Sequence, residues 1–199
     1  MMDEELSIGN AWGEVMLAWD REIAAHSSRL VRPAQATGRL LGLTRDALYR
    51  LGLAALVHDL GKMAIPQAIL SKPGPLTEEE WLVMRRHPEL GCSMLLHAGG
   101  GCGGVVSIVL AHHERWDGGG YPYGLEQNAI PVEARILSVV DAYDAMTSSR
   151  AYREPFTTEQ ARAELERCAG RQFDPQVVAA FLLVLDGEAQ PQALVGSSR

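Results

Sequence analysis

Apolar residues in this chain recur at the three-to-four-residue spacing of a helix, and no segment alternates apolar and polar residues as a half-buried strand would. Trp12, Val15, Met16, Trp19, Ile23 and Leu30 mark one helical stretch over residues 11–31. Thr44 suits the N-cap of a helix running to about Leu60. Gly61 suits the position just past its end, where a left-handed backbone is cheap for glycine. Residues 62–76 hold three prolines and predict a connector, and Thr77-Glu78-Glu79-Glu80 is a capping box opening the next helix. His87-Pro88 marks a boundary, because a residue before proline avoids the helical region. Five glycines between Gly99 and Gly104 predict a flexible link, followed by a helix from Val105 to about Arg115. Gly118 to Pro122 must be a loop. Pro131 opens the longest apolar helix, residues 131–148, while Thr157 and Asp174-Pro175 start two closing helices. The fold class expected is all-α, a helical bundle.

With 199 residues, 47% of them hydrophobic and 22% charged, the chain is sized for one globular domain. That domain is expected over residues 1–187, with a disordered polar tail over 188–199. A net charge of −7 argues against DNA or RNA as a general partner, although bound cations would still allow an anionic substrate. No apolar run approaches the roughly 20 residues of a membrane span. Cys92, Cys102 and Cys168 form no CxxC pair and read as reduced thiols, so a cytoplasmic location is expected. Oligomeric state is left open.

Six histidines carry the chemistry. His58-Asp59 follows the apolar run Leu53 to Val57, so the pair is expected to be at least partly buried, and a buried carboxylate needs a cation or several donors. Taken alone, a metal site and a satisfied core pair explain it equally well. Glu22 and His26, four residues apart, share a helix face, and alone they read as an exposed polar face. His87 alone reads as a surface histidine. His112 and His113 end an apolar stretch. Successive helical residues diverge, so they suit different metals, or one ligand and one supporting role. Asp141 and Asp144 sit within the apolar helix Ile136 to Met146, where a buried acid again needs a partner.

In order along the chain, these pieces resemble a known family. His58-Asp59-Leu60-Gly61-Lys62 is similar to the HDxGK signature of HD-superfamily phosphohydrolases. His112-His113-Glu114-Arg115-Trp116-Asp117-Gly118-Gly119-Gly120-Tyr121-Pro122 resembles the signature that names the HD-GYP subfamily. Ile65-Pro66, Ile69 to Gly74, Leu76 to Gly91, Ala134 to Leu137, Asp141 to Thr147, Arg150 to Arg153 and Phe173-Asp174-Pro175 extend the likeness. It covers about Glu22 to Phe181.

The resemblance implies an HD-domain helical bundle extended by the GYP loop and C-terminal helices. It implies metal ligands at His26, His58, Asp59, His87, His112, His113 and Asp141, with Glu22 beside a third metal. His97 is left over as a surface histidine. The implied reaction is hydrolysis of a 3′–5′ phosphodiester in cyclic di-GMP, to the linear dinucleotide or GMP, using two or three divalent ions, iron or manganese. Asp59 suits a bridging role because a carboxylate has two oxygens. Lys62 is implied as the donor to a phosphate or leaving-group oxygen, and Arg150 and Arg153 as holders of the second phosphate. Tyr121 is a candidate to stack on a base, and its loop shapes the cleft rim or meets a signalling partner. The alternatives are a sensor of cyclic dinucleotides without turnover, or an HD enzyme acting on another nucleotide such as cyclic GMP–AMP.

Overall fold

The computed structural model describes residues 20–97, 103–148 and 154–189, together with Val15. These residues are helical, with no strand among them beyond two isolated bridges, Asp117 with Glu126 and Ala169 with Phe173. The part of the expected first helix that carries Trp12, Met16 and Trp19, the Gly99 to Cys102 part of the expected link and residues 190–199 of the expected tail lie outside the described residues, while Glu188 and Ala189, expected in that tail, belong to the last helix.

Helix α1 spans Arg21–Leu40, running well past residue 31 and through Pro33. Helix α2 spans Arg45–Val57 and is started as expected by Thr44, whose hydroxyl accepts from the Ala47 amide at 3.3 Å. A 3-10 segment, Leu60–Ala64, and a short helix α3, Gln67–Leu70, fill the proline-rich connector. Helix α4, Glu78–Met84, carries the full Thr77–Glu80 capping box, and α5, His87–His97, begins at the boundary that Pro88 predicts. Helix α6 is Gly103–Ala111, and α7 is Val132–Thr147 with Pro131 as its N-cap. Helix α8, Thr158–Cys168, is capped reciprocally by Thr157 and Gln160, and α9 is Pro175–Ala189.

Helix α7 is the central element and touches α1, α2, α6, α8 and α9. Its Ile136, Leu137, Val139 and Val140 are buried with Leu30 of α1, Leu51 of α2, Ile108 of α6, Leu165 of α8 and Phe181 of α9. Each such side chain contributes roughly 1.5–3 kcal/mol of burial. The rings of Tyr143 and Phe181 meet edge to face, 5.2 Å apart. Meanwhile α5 packs against the 3-10 segment and α6.

Two elements end earlier than the sequence suggests. Helix α2 stops at Val57, and the backbone tightens through His58 and Asp59 into the 3-10 segment. Gly61 therefore takes no left-handed conformation. It is required for another reason: a β-carbon there would collide with the His87 carbonyl and the Gly91 amide. Only glycine lets the 3-10 segment lie directly on α5. Likewise α6 stops at Ala111, so His112 and His113 leave the helix rather than continuing it to Arg115.

The loop that follows is held from inside. Gly118 and Gly124 adopt left-handed backbones, φ 76° and 65°, and the Tyr121–Pro122 peptide is cis. A β-carbon on Gly120 would overlap the backbone of His113, Glu114 and Arg115. The buried Glu114 carboxylate accepts from the Tyr123 amide at 2.8 Å and the Leu125 amide at 3.0 Å.

Candidate metal centre

The points where these helices end or cross converge on one cluster. His58 and Asp59 come from the end of α2, His87 from the start of α5, His112 and His113 from the end of α6. His26 comes from α1 and Asp141 from α7. The imidazoles form an unbroken series. Ring centroids are 5.5 Å apart for His26–His58, 5.2 Å for His58–His112, 5.3 Å for His87–His112 and 4.9 Å for His87–His113.

Three of these rings are oriented in the same way. Nδ1 of His58 donates to the Ala55 carbonyl at 2.9 Å, Nδ1 of His87 to Met84 at 2.8 Å, and Nδ1 of His112 to Val109 at 2.5 Å. A carbonyl can only accept, so the proton sits on Nδ1 and Nε2 faces inward as the ligating atom. Asp59 meets two of these nitrogens: Oδ2 is 3.3 Å from His58 Nε2, and Oδ1 is 3.5 Å from His87 Nε2. Nε2 of His58 and Oδ1 of Asp59 are buried without a hydrogen-bond partner. Lone pairs facing lone pairs in a buried site repel, and a cation between them removes the repulsion. The residues present therefore fit divalent metal. Two sets bring their ligand atoms within 4.8 Å of one another, His87 with His112 and His113, and His26 with His58 and Asp141. Their mixture of imidazole and carboxylate suits iron, manganese, cobalt or zinc.

Electrostatics agrees with that division. Burial pushes the pKa of His87 down to about 4 and of His113 to about 3, and drives His112 well down, so all three are neutral at pH 7, the form that can hold a metal. Burial opposes ionisation of Asp59, but Lys62 and His58 outweigh it and hold the carboxyl well below its usual range. Asp141 is also lowered, with His26 and His58 outweighing burial. At His58 burial is outweighed by Asp59 and the pKa rises, so the site favours positive charge at this point.

His26 is held differently. Its Nε2 lies 3.0 Å from Asp141 Oδ1, and its Nδ1 donates to Asp144 Oδ2 at 2.7 Å. Burial would lower its pKa, but the two carboxylates raise it to about 9. Asp144 is itself gripped by Arg29, whose Nε and Nη2 donate to Oδ1 and Oδ2, both at 2.7 Å, and by the Ser148 hydroxyl at 3.1 Å. The series Arg29–Asp144–His26 aims one imidazole at the cluster.

The cluster opens into a cavity of about 1470 Å³. Lys62 lies on its wall with Nζ 2.7 Å from Asp59 Oδ2. The two side chains share a face because residues three apart eclipse in a 3-10 turn. Tyr121 also lines the cavity, its ring 4.8 Å from that of His113. His112 and His113 belong to one set instead of diverging, because the helix has ended before them and their rings lie 4.0 Å apart. His97 is exposed at the end of α5. The Glu22 side chain, Arg150 and Arg153 lie outside the described residues. Arg29, Glu114 and the exposed Trp81 on the cavity wall were not anticipated as working parts, nor was Asp144, noted only as an acid needing a partner. A signal existed for two of them: Arg29 lies three residues after His26, and Asp144 three after Asp141.

Comparison with known proteins agrees with this geometry. The family model described as HD domain matches residues 16–177. The chain is 42% identical over 178 residues to the cyclic di-GMP phosphodiesterase response regulator RpfG of Xanthomonas campestris, covering 89% of this chain and 46% of that protein. It is 39% identical to the 3′3′-cGAMP-specific phosphodiesterase 2 of Vibrio cholerae, covering 83% and 32%. The chain thus spans less than half the length of either relative. Among solved structures, the HDG"Y"P protein Bd1817 of Bdellovibrio bacteriovorus superposes with TM-score 0.65 at 23% identity, covering 83% of this chain and 53% of that one. The chain belongs to the HD-domain family, in the HD-GYP branch that its motifs define. No helix among the described residues is long and apolar enough to cross a membrane.

Proposed function

We propose that this chain is a metal-dependent phosphodiesterase that hydrolyses a cyclic dinucleotide, with cyclic di-GMP as substrate. The observation that carries the reading is Asp59, which presents one oxygen to His58 and the other to His87 and so joins the two ligand sets. His87, His112 and His113 would hold one cation, His26, His58 and Asp141 a second, with Asp59 between them. Glu22 is the candidate for a third. Iron or manganese suits this donor set. Such cations, when bound, acidify a water and neutralise the phosphate.

The protein supplies the rest. The carbonyls of Ala55, Met84 and Val109 keep three imidazoles in the ligating tautomer. Lys62, on the cavity wall beside Asp59, would donate from its ammonium to a phosphate or leaving-group oxygen. Arg150 and Arg153 would hold the second phosphate through charge-assisted hydrogen bonds, and the loop at Tyr121 would frame the cleft. Cyclic GMP–AMP is the second reading, carried by the likeness to the Vibrio cholerae protein named for it.

The test combines metal analysis of anaerobically purified protein with chromatography of products from cyclic di-GMP and cyclic GMP–AMP. Two or three metals per chain with conversion of cyclic di-GMP are expected, and Asp59→Ala should lose both. Metal uptake with binding but no turnover would establish a sensor instead.

A further inference from the structure

Trp81 of α4 is 45% exposed and lies on the cavity wall. Tyr121 lines the same cavity from the loop. Between them stands Arg85, with its guanidinium carbon 5.8 Å from the Trp81 ring centroid and 5.6 Å from that of Tyr121. Arg85 is exposed and has no carboxylate partner among the described residues. An arginine held between two aromatic faces has its plane fixed and its N–H edge left over.

The stretch of chain from α4 into the start of α5 couples this group to the metal centre. Trp81, Met84 and His87 follow at three-residue steps and all line the cavity. Met84 also supplies the carbonyl that orients His87. That wall leads from the cluster to Trp81, with the exposed Arg85 over its ring, so a nucleoside whose phosphate is held at the cluster can lie along it.

Resting on the phosphodiesterase reading above, we propose that Trp81 and Arg85 form a guanine-recognition subsite: the base stacks on the Trp81 ring, and Arg85 reads its N7 and O6. A fixed guanidinium donates two parallel hydrogen bonds, and guanine offers two adjacent acceptors on that edge. Adenine offers one acceptor and one donor there, so the donor faces the fork. Stacking on Trp81 is indifferent to which base is present. The two residues thus divide the work, with Trp81 supplying affinity and Arg85 selectivity.

The experiment measures kcat/KM of the Mn²⁺-loaded full chain for cyclic di-GMP and for its 7-deazaguanine counterpart, in which N7 becomes a C–H. A base-free diester, bis(p-nitrophenyl) phosphate, is run with the wild-type protein. The wild type should prefer cyclic di-GMP by about 5-fold or more, within the discrimination a bidentate contact gives. In Arg85→Ala that preference should vanish, and Arg85→Lys, which keeps the charge but loses the fork, should behave the same way. Trp81→Ala should weaken both dinucleotides alike, by about 5- to 150-fold, and Trp81→Phe should restore most of the loss. Equal handling of the two dinucleotides by the wild type, or an unchanged preference in Arg85→Ala, overturns the subsite while leaving the enzyme reading intact. Turnover of the base-free diester with neither dinucleotide accepted overturns the cyclic-dinucleotide reading, and the subsite with it, while the phosphodiesterase chemistry stands.

Discussion

Gly61 and His87 touch through backbone alone: the α-carbon of Gly61 faces the His87 carbonyl with no room for a side chain between them. This contact seats the 3-10 segment after Asp59 against the start of α5. It is what brings the Asp59 carboxylate within 3.5 Å of the His87 ring. Gly61→Ala should therefore damage stability and metal binding together. Overpacking of this kind costs about 1–3 kcal/mol, and each kcal/mol lowers Tm by roughly 2–4 °C in a protein this size. Thermal denaturation with metal analysis tests it. An alanine variant with wild-type Tm and metal content would show that the helices part freely.

Arg29 should matter to metal affinity though it touches no other member of the cluster. It fixes both oxygens of Asp144, and Asp144 fixes His26. Loss of such an orienting partner costs roughly 10–100-fold in metal affinity. We expect Arg29→Ala to lower metal affinity by that order, while Arg29→Lys, with one point charge in place of a fork, falls between. Metal titration of the two variants is the measurement. Equal affinity in Arg29→Ala and wild type would remove Arg29 from the chain of support.

Glu114 should control the loop and not the cluster. Its buried carboxylate accepts from the Tyr123 and Leu125 amides, and hydrogen bonds to a charged group contribute about 1.5–3 kcal/mol each. In the wild type, amide exchange at Tyr123 and Leu125 should be slow. In Glu114→Ala both amides should exchange much faster. Protection retained at both positions would mean that the glycine packing alone holds the loop.

Cys92 should be an inert thiol. It is buried, its thiol faces the Val106 carbonyl at 3.3 Å, and burial pushes its pKa up to about 12, with Glu89 adding to the effect. A folded pKa raised above the ordinary 9.0 means that the native state holds the proton more tightly. The resulting stability is complete below pH 9 and is lost as pH rises from there towards 12. In a Cys102→Ser, Cys168→Ser background, a thiol reagent at pH 8 should modify Cys92 only on unfolding, and Cys92→Ser should flatten the loss of stability above pH 9. Rapid modification of the native protein would contradict the burial.

The sequence by itself determined the helical architecture and the identity of the residues that gather at the candidate metal centre. The starts of α2, α4 and α8 were legible because Thr44, Thr77 and Thr157 act locally, each satisfying amides within its own first turn. His58, Asp59, His87, His112, His113 and Asp141 were legible as a set because metal chemistry requires those residue types, and their ordered motifs match a family. Tertiary structure decided everything that depends on approach between distant segments. It placed Gly61 under a close contact instead of a left-handed turn, because the constraint comes from α5 across the fold and not from its neighbours in sequence. It ended α2 and α6 just before His58 and His112, which brought His112 and His113 into one candidate set. It recruited Arg29, whose partner Asp144 is 115 residues away. It also set Arg85 between Trp81 and Tyr121. Capping and periodicity act over one helical turn and can be read along the chain. Side-chain support across helices is set by packing: spacing can put Arg29 and Asp144 on the right faces, but only the approach of the two helices pairs them.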